Sequence, residues 1–205
     1  MPAPKRRRVL GEFELLAKVR AAVEGLGRGH GVVVGIGDDC AVVRVPAGLQ
    51  VLTTDTMVEG VHFRPAWLTP RELGVRAYRA AVSDVAAMGA IPRHALLSLE
   101  LPSGGFDAAD ALSLVRGVAA EARRGGAALV GGNVSGGPRL SLTVTVTGEA
   151  VARPLLRRDA KPGDLVFVTG ALGGAGAALC RLLAADESSS PRKAVPASLR
   201  AASAA

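Results

Sequence analysis

Residues 140–147, Leu-Ser-Leu-Thr-Val-Thr-Val-Thr, alternate apolar and hydroxyl side chains without a break. A period of two is the strand period, so Leu140, Leu142, Val144 and Val146 share one face and Ser141, Thr143, Thr145 and Thr147 the other. A chain holding this segment must build a sheet and cover its apolar side. With 49% hydrophobic and only 3% aromatic residues, the cover has to be Val, Leu and Ala, which suits close packing of helices on a sheet. Read as a lone half-structure, the strand leaves an exposed edge and predicts pairing with a second copy.

The remaining periodicities place helices between strands. Leu16, Val19, Val23 and Leu26 predict a first helix, broken by the glycines at 25, 27, 29 and 31, and Val32–Val34 and Leu49–Thr54 read as short buried strands. Thr69-Pro70-Arg71-Glu72 opens a second helix with an N-cap, a proline at the first helical position and a capping box. It runs to Met88, stops at Gly89, and carries Leu73, Ala77, Ala80, Asp84 and Met88 on one stripe, which puts a carboxylate in an apolar row. Ala95–Leu101 predicts a strand ended by Pro102. Asp107 caps a helix to about Arg124 with Leu112, Val115, Val118 and Ala122 inward, and Leu129-Val130 is a short strand before Gly131-Gly132-Asn133. Val166–Thr169 reads as another strand, followed by a helix through Leu183. This alternation predicts an α+β (α/β) fold.

Charge and cysteines narrow the function classes. Lys5, Arg6, Arg7 and Arg8 supply more than half of the formal +7, and no basic stripe is interleaved with aromatics, so nucleic acid is not the expected partner. Cys40 and Cys180 show neither zinc spacing nor a disulfide framework. No apolar stretch is long enough to span a bilayer, and the basic start leads into Glu12 and Glu14 rather than a signal-peptide apolar region. A soluble, cytoplasmic protein without membrane partners is the expectation.

Carboxylates stand in costly places. Asp38-Asp39 follow a glycine turn and precede Cys40-Ala41-Val42-Val43, where either a metal ion or plain solvent exposure would compensate them. Thr53-Thr54-Asp55-Thr56 ends an apolar strand and leads to Glu59 and His62. Hard oxygen donors at a strand end suit Mg²⁺ and phosphate oxygens. Each motif alone has a blander reading as a turn, a cap or an ordinary histidine. Asp84 is the exception, because an unpaired buried carboxylate demands a partner.

The ordered set GEFELL (11–16), GIGDDCA (35–41), TTDTMVEGVHF (53–63), SDVAAMGA (83–90), LVGGN (129–133) and AKPGD (160–164) closely resembles the thiamine-monophosphate kinase family, within the superfamily of aminoimidazole ribonucleotide synthetase. The resemblance implies a mixed sheet with helices on one face, a homodimer whose sheets pair into a barrel, and ATP-dependent phosphorylation of thiamine phosphate to thiamine diphosphate with ATP and Mg²⁺. It implies Asp39, Thr53, Thr54, Asp55 and Asp84 as magnesium ligands, His62 as a substrate contact, and Gly132 and Arg157 as nucleotide contacts. Asn133 takes the metal-ligand place where the family usually has Asp, and Ala81 stands where Asn is common. No catalytic general base is evident.

The implied domains are a basic disordered arm (1–10), a metal- and ATP-binding, dimerising domain (11–150), the start of a truncated second domain (151–183) and a disordered Ala/Ser/Pro tail (184–205). Two alternatives accompany the kinase: a non-catalytic dimeric module that binds Mg²⁺ or nucleotide, and another ATP-dependent enzyme of the superfamily.

Overall fold

The computed structural model describes residues 17, 21, 31–34, 38–168 and 170–187. Six strands form one mixed sheet: β1 (Val32–Val34), β2 (Ala41–Val45), β3 (Gly48–Val58), β4 (Ala90–Pro102), β5 (Ala128–Gly137) and β6 (Ser141–Ala150). Their order is β1-β2-β3-β6-β4-β5. Helix α1 (Pro70–Ala87) links β3 to β4, α2 (Ala108–Arg124) links β4 to β5, and α3 (Gly174–Glu187) follows a 3₁₀ turn at Arg157–Asp159. The β3–α1–β4 crossover leaves a gap of one strand, which β6 fills antiparallel to both neighbours.

The helices start where side chains satisfy their orphan N–H groups. Thr69 Oγ1 accepts from Glu72 N–H at 3.3 Å while Glu72 Oε2 accepts from Thr69 N–H at 2.8 Å. Asp107 and Asp110 repeat the box on α2, at 2.9 and 3.4 Å. Gly89, at φ +66°, supplies the left-handed turn after α1. The two helices touch backbone to backbone: a Cβ on Gly74 would stand 2.1 Å from Leu114 O, and one on Gly117 2.2 Å from Arg71 O.

Both helices cover one face of the sheet. Leu142, Val144, Val146 and Val51 are buried there with Leu73, Ala77, Ala81, Val85, Leu114, Val118 and Ala122. The opposite face carries hydroxyls, with Thr54 and Thr145 paired at 3.0 Å and Thr56 and Thr143 at 2.9 Å.

Several expectations need correction. Residues 140–147 form the centre of the sheet and not an edge, because β6 is hydrogen-bonded on both sides; β1 and β5 are the edges. The α1 stripe runs through Ala81 and Val85, not Ala80 and Asp84, because the helix rotates its buried row toward the sheet. Leu112 is 55% exposed, as Leu114 and Gly117 face inward instead. β5 runs ten residues, through Gly131-Gly132-Asn133 rather than stopping before it. Residues 166–168 make no strand; Val166 is 93% and Phe167 83% exposed, with no neighbouring strand to pair. Helix α3 continues past Leu183 to Glu187, into the segment expected to be disordered. The remainder of that tail, the basic arm and most of the first predicted helix lie outside the described residues.

Candidate functional site

Strand alternation turns Thr53 and Asp55 of β3 toward the helix-covered face, between Val51 and Met57. Thr53, 9% exposed, donates its hydroxyl to Asp84 Oδ2 at 2.8 Å. That bond is the partner the Asp84 carboxylate requires, delivered from another element. Asp39 lies beside them, its side chain 21% exposed and its Oδ1 accepting from the Arg157 guanidinium, with Nε at 3.0 Å. Arg157 N–H also donates to Asp38 Oδ1 at 3.5 Å.

Two shifts report how closely these charges gather. The Cys40 thiol is pushed up to about 12, by burial first and then by Asp84, Asp39 and Asp38. The Arg157 guanidinium is held above its ordinary value by its hydrogen bond to Asp39. The region is therefore an acidic cluster closed on one side by Arg157.

Not every expected residue joins it. The Thr54 side chain points to the hydroxyl face and bonds Thr145. Asp55 keeps to the face of Thr53, half-buried, its Oδ1 accepting from Thr56 N–H at 2.8 Å. Glu59 serves the fold, its Oε2 accepting from Leu140 N–H at 3.2 Å. Among the described residues no three carboxylate, histidine or cysteine side chains could hold a metal ion by themselves.

After β3 the chain turns back sharply, and His62 Nδ1 accepts from Val58 N–H at 3.0 Å. The neutral ring then carries its proton on Nε2, an outward donor. His62 lines a cavity of about 440 Å³ with Phe63, Trp67, Arg76, Leu179 and Leu182. Arg64 stacks over Trp67 at 4.9 Å. The sequence reading missed Arg76; lying within a helix, it showed no motif, and only the docking of α3 makes it part of a wall.

Gly132 and Asn133 sit on the edge strand β5, beyond the cover of α2. A Cβ on Gly132 would stand 1.8 Å from Leu97 O, so the backbones need glycine there. Beside it an open hollow is lined by Leu97, Leu99, Val115 and Leu129. Strand register ties this hollow to the acidic cluster. Asp55 pairs with Val144, Val144 with Leu97, and Leu97 with Gly132. The two lie in one row across four strands, about 14 Å apart at the usual strand spacing.

Residues 37–150 match the family described as AIR synthase related protein, N-terminal domain. Thiamine-monophosphate kinase of Bacillus subtilis is 41% identical over 155 residues, 74% of this chain and 47% of that protein. The Escherichia coli kinase is 37% identical over 174 residues, 84% of this chain and 52% of its own length. The chain thus spans about half the length of the curated relatives it matches. A solved structure described as AaThiL complexed with AMPPCP and TMP superposes with a TM-score of 0.77 at 32% identity, covering 96% of this chain and 63% of that one. A family match over more than half of its residues, on the mixed sheet described above, means that the chain belongs to the AIR synthase related proteins through their N-terminal domain.

Proposed function

We propose that this chain supplies the magnesium- and nucleotide-binding half of an ATP-dependent kinase that converts thiamine phosphate to thiamine diphosphate. The observation that carries the reading is the row joining Asp55 to Gly132, with Thr53–Asp84 beside it. Transfer to a phosphate oxygen asks a protein mainly to hold donor and acceptor in line and to neutralise charge. Hard oxygen donors at one end of the row and an apolar, glycine-backed hollow at the other, about 14 Å apart, suit the two ends of a nucleoside triphosphate, while Val144 and Leu97 between them are buried under the helices.

The donor set fits Mg²⁺, which keeps waters and substrate oxygens and needs only one or two protein carboxylates per ion. Asp39, Thr53, Asp55 and Asp84 would hold it at the cluster, Thr54 only through its backbone carbonyl, and Asn133 through a neutral amide oxygen at the far end of the row. Bound there, Mg²⁺ supplies charge neutralisation on the phosphates. Gly132 lets the nucleotide approach the backbone, Arg157 grips a phosphate, and the His62 N–H contacts the acceptor. No general base is required, since the acceptor is itself a phosphate oxygen.

The hydroxyl face of the sheet, with Leu96 45% exposed beside Thr145, supports a homodimer formed through that face. Two free thiols support a cytoplasmic setting. One alternative has its own support: Asn133 in a carboxylate's place favours a magnesium- and nucleotide-binding module without turnover.

Chromatographic detection of thiamine diphosphate after incubation with ATP, Mg²⁺ and thiamine phosphate separates the two, run beside a version joined to a relative's C-terminal half. Product from the 205-residue chain supports the kinase outright; product from the extended version alone supports the module. Asp84→Asn and Asp55→Asn should each weaken Mg²⁺-dependent ATP binding at least tenfold, and unchanged binding at matched magnesium would sink the assignment.

A further inference from the structure

Between β6 and the exposed stretch at 157–168 the chain is attached to the body in two different ways. The first is apolar: Pro154 is buried, Leu156 is half-buried against the core, and Leu155 N–H donates to Met88 O at 3.1 Å, which fixes the approach on the end of α1. The second is electrostatic. At the 3₁₀ turn the Arg157 guanidinium holds Asp39, and the Arg157 N–H reaches Asp38. The turn is also braced from within, Asp159 N–H donating to Leu156 O at 3.0 Å, Ala160 N–H to Arg157 O at 3.4 Å and the Arg153 guanidinium to Asp159 Oδ2 at 2.8 Å.

The two attachments differ in what can undo them. Apolar burial does not respond to a cation, whereas the Arg157 tether uses the carboxylate oxygens that a divalent ion at Asp39 would take. Such an ion demands those lone pairs and repels a guanidinium a few ångströms away. Asp38 and Asp84 add to the hold of Asp39 on the Arg157 charge, so a cation among the three carboxylates cancels the whole of it.

We infer that Arg157 is a latch: without a cation it ties the 157–160 turn to Asp38-Asp39, and a divalent cation at Asp39 releases the turn, so that occupancy of the site sets the freedom of the chain that follows. The inference rests on the metal reading above and gives the ion a second effect, on backbone rather than on phosphate. Because the upstream burial is untouched, the released turn pivots at Leu156.

The test is hydrogen exchange of the full chain, read by mass spectrometry over residues 155–161. Mn²⁺ is the probe, since carboxylates take it as they take Mg²⁺ and electron paramagnetic resonance counts its bound fraction in the same samples. Saturating Mn²⁺ should speed exchange at Arg157, Asp159 and Ala160 of the wild type by about fivefold or more, while the amides of α1 keep their rate. Arg157→Gln should show the fast rate without metal and gain nothing from Mn²⁺. Asp39→Asn removes the other partner and should be equally fast without metal; it serves as the second variant should the first not fold, which the α1 amides report. Bound Mn²⁺ with unchanged exchange in the wild type, or metal-free variants exchanging at the wild-type rate, overturns the latch and leaves the metal reading intact. No bound Mn²⁺ in either wild type or Arg157→Gln overturns the cation site at Asp39, and this inference with it.

Discussion

Arg157 and Asp39 compensate each other in the structure, and both are proposed to serve ligands, the one a phosphate and the other a metal ion. A cation arriving at Asp39 must compete with the guanidinium, and the displaced guanidinium is then available to phosphate. Arg157→Gln should therefore act in opposite directions on two quantities. Nucleotide affinity at saturating Mg²⁺ should fall about tenfold, while the Mg²⁺ concentration needed for half-maximal binding should also fall, because the competitor is gone. Titrating nucleotide at a series of magnesium concentrations measures both; an unchanged magnesium requirement would separate Arg157 from the metal site. At this scale the sequence was legible in part. The need of Asp84 for a partner was anticipated, though from a stripe that the helix does not bury, and its partner Thr53 lies 31 residues away and needed the sheet to bring it near. Arg76 carried no signal at all, since its place in the cavity wall depends on the docking of α3.

Between elements, the junction of α1 and α2 is tied by Glu121, which accepts from Arg124 and Arg79 while 8% exposed. Hydrogen bonding to Arg124, ahead of that to Arg79, holds its carboxyl at about 2 against the opposing effect of burial. A depressed carboxyl stabilises the fold fully above its unfolded pKa and loses that contribution as pH falls through the folded value. Glu121 should thus contribute on the order of 2 kcal/mol at neutral pH, lost between about pH 4.5 and 2. Urea midpoints followed against pH should fall more steeply over that window for wild type than for Glu121→Gln, with the two curves converging near pH 2; parallel curves would rule the tie out. Helix starts were readable because capping is local chemistry: Thr69 and Asp107 each find their partner three residues on. Strand extents were not, since β5 owes its ten residues to pairing with β4 and not to the preference of a glycine-rich segment. Residues 166–168 show the converse, a strand-like composition that meets no partner.

For the whole molecule, the alternation in 140–147 announced a two-faced sheet, and the sheet has two faces, but only topology could say that this strand lies at its centre. The proposed dimer then depends on the hydroxyl face rather than on an open edge. Thr145→Arg, placed among Thr54, Thr143 and Leu96, should convert a dimer to monomer in sedimentation at micromolar concentration with little change in melting temperature. A wild type that sediments as monomer would end the proposal. The row from Asp55 to Gly132 has a different kind of consequence. Both ends hang from one hydrogen-bonded lattice, so their separation is quantised: it changes only by whole strands sideways, or by two-residue slips that keep each side chain on its own face. Loops around the row are free to lengthen, shorten or diverge over evolutionary time without rescaling it. The sheet acts as a ruler with coarse graduations, and substrates of a different length would have to find a different fold.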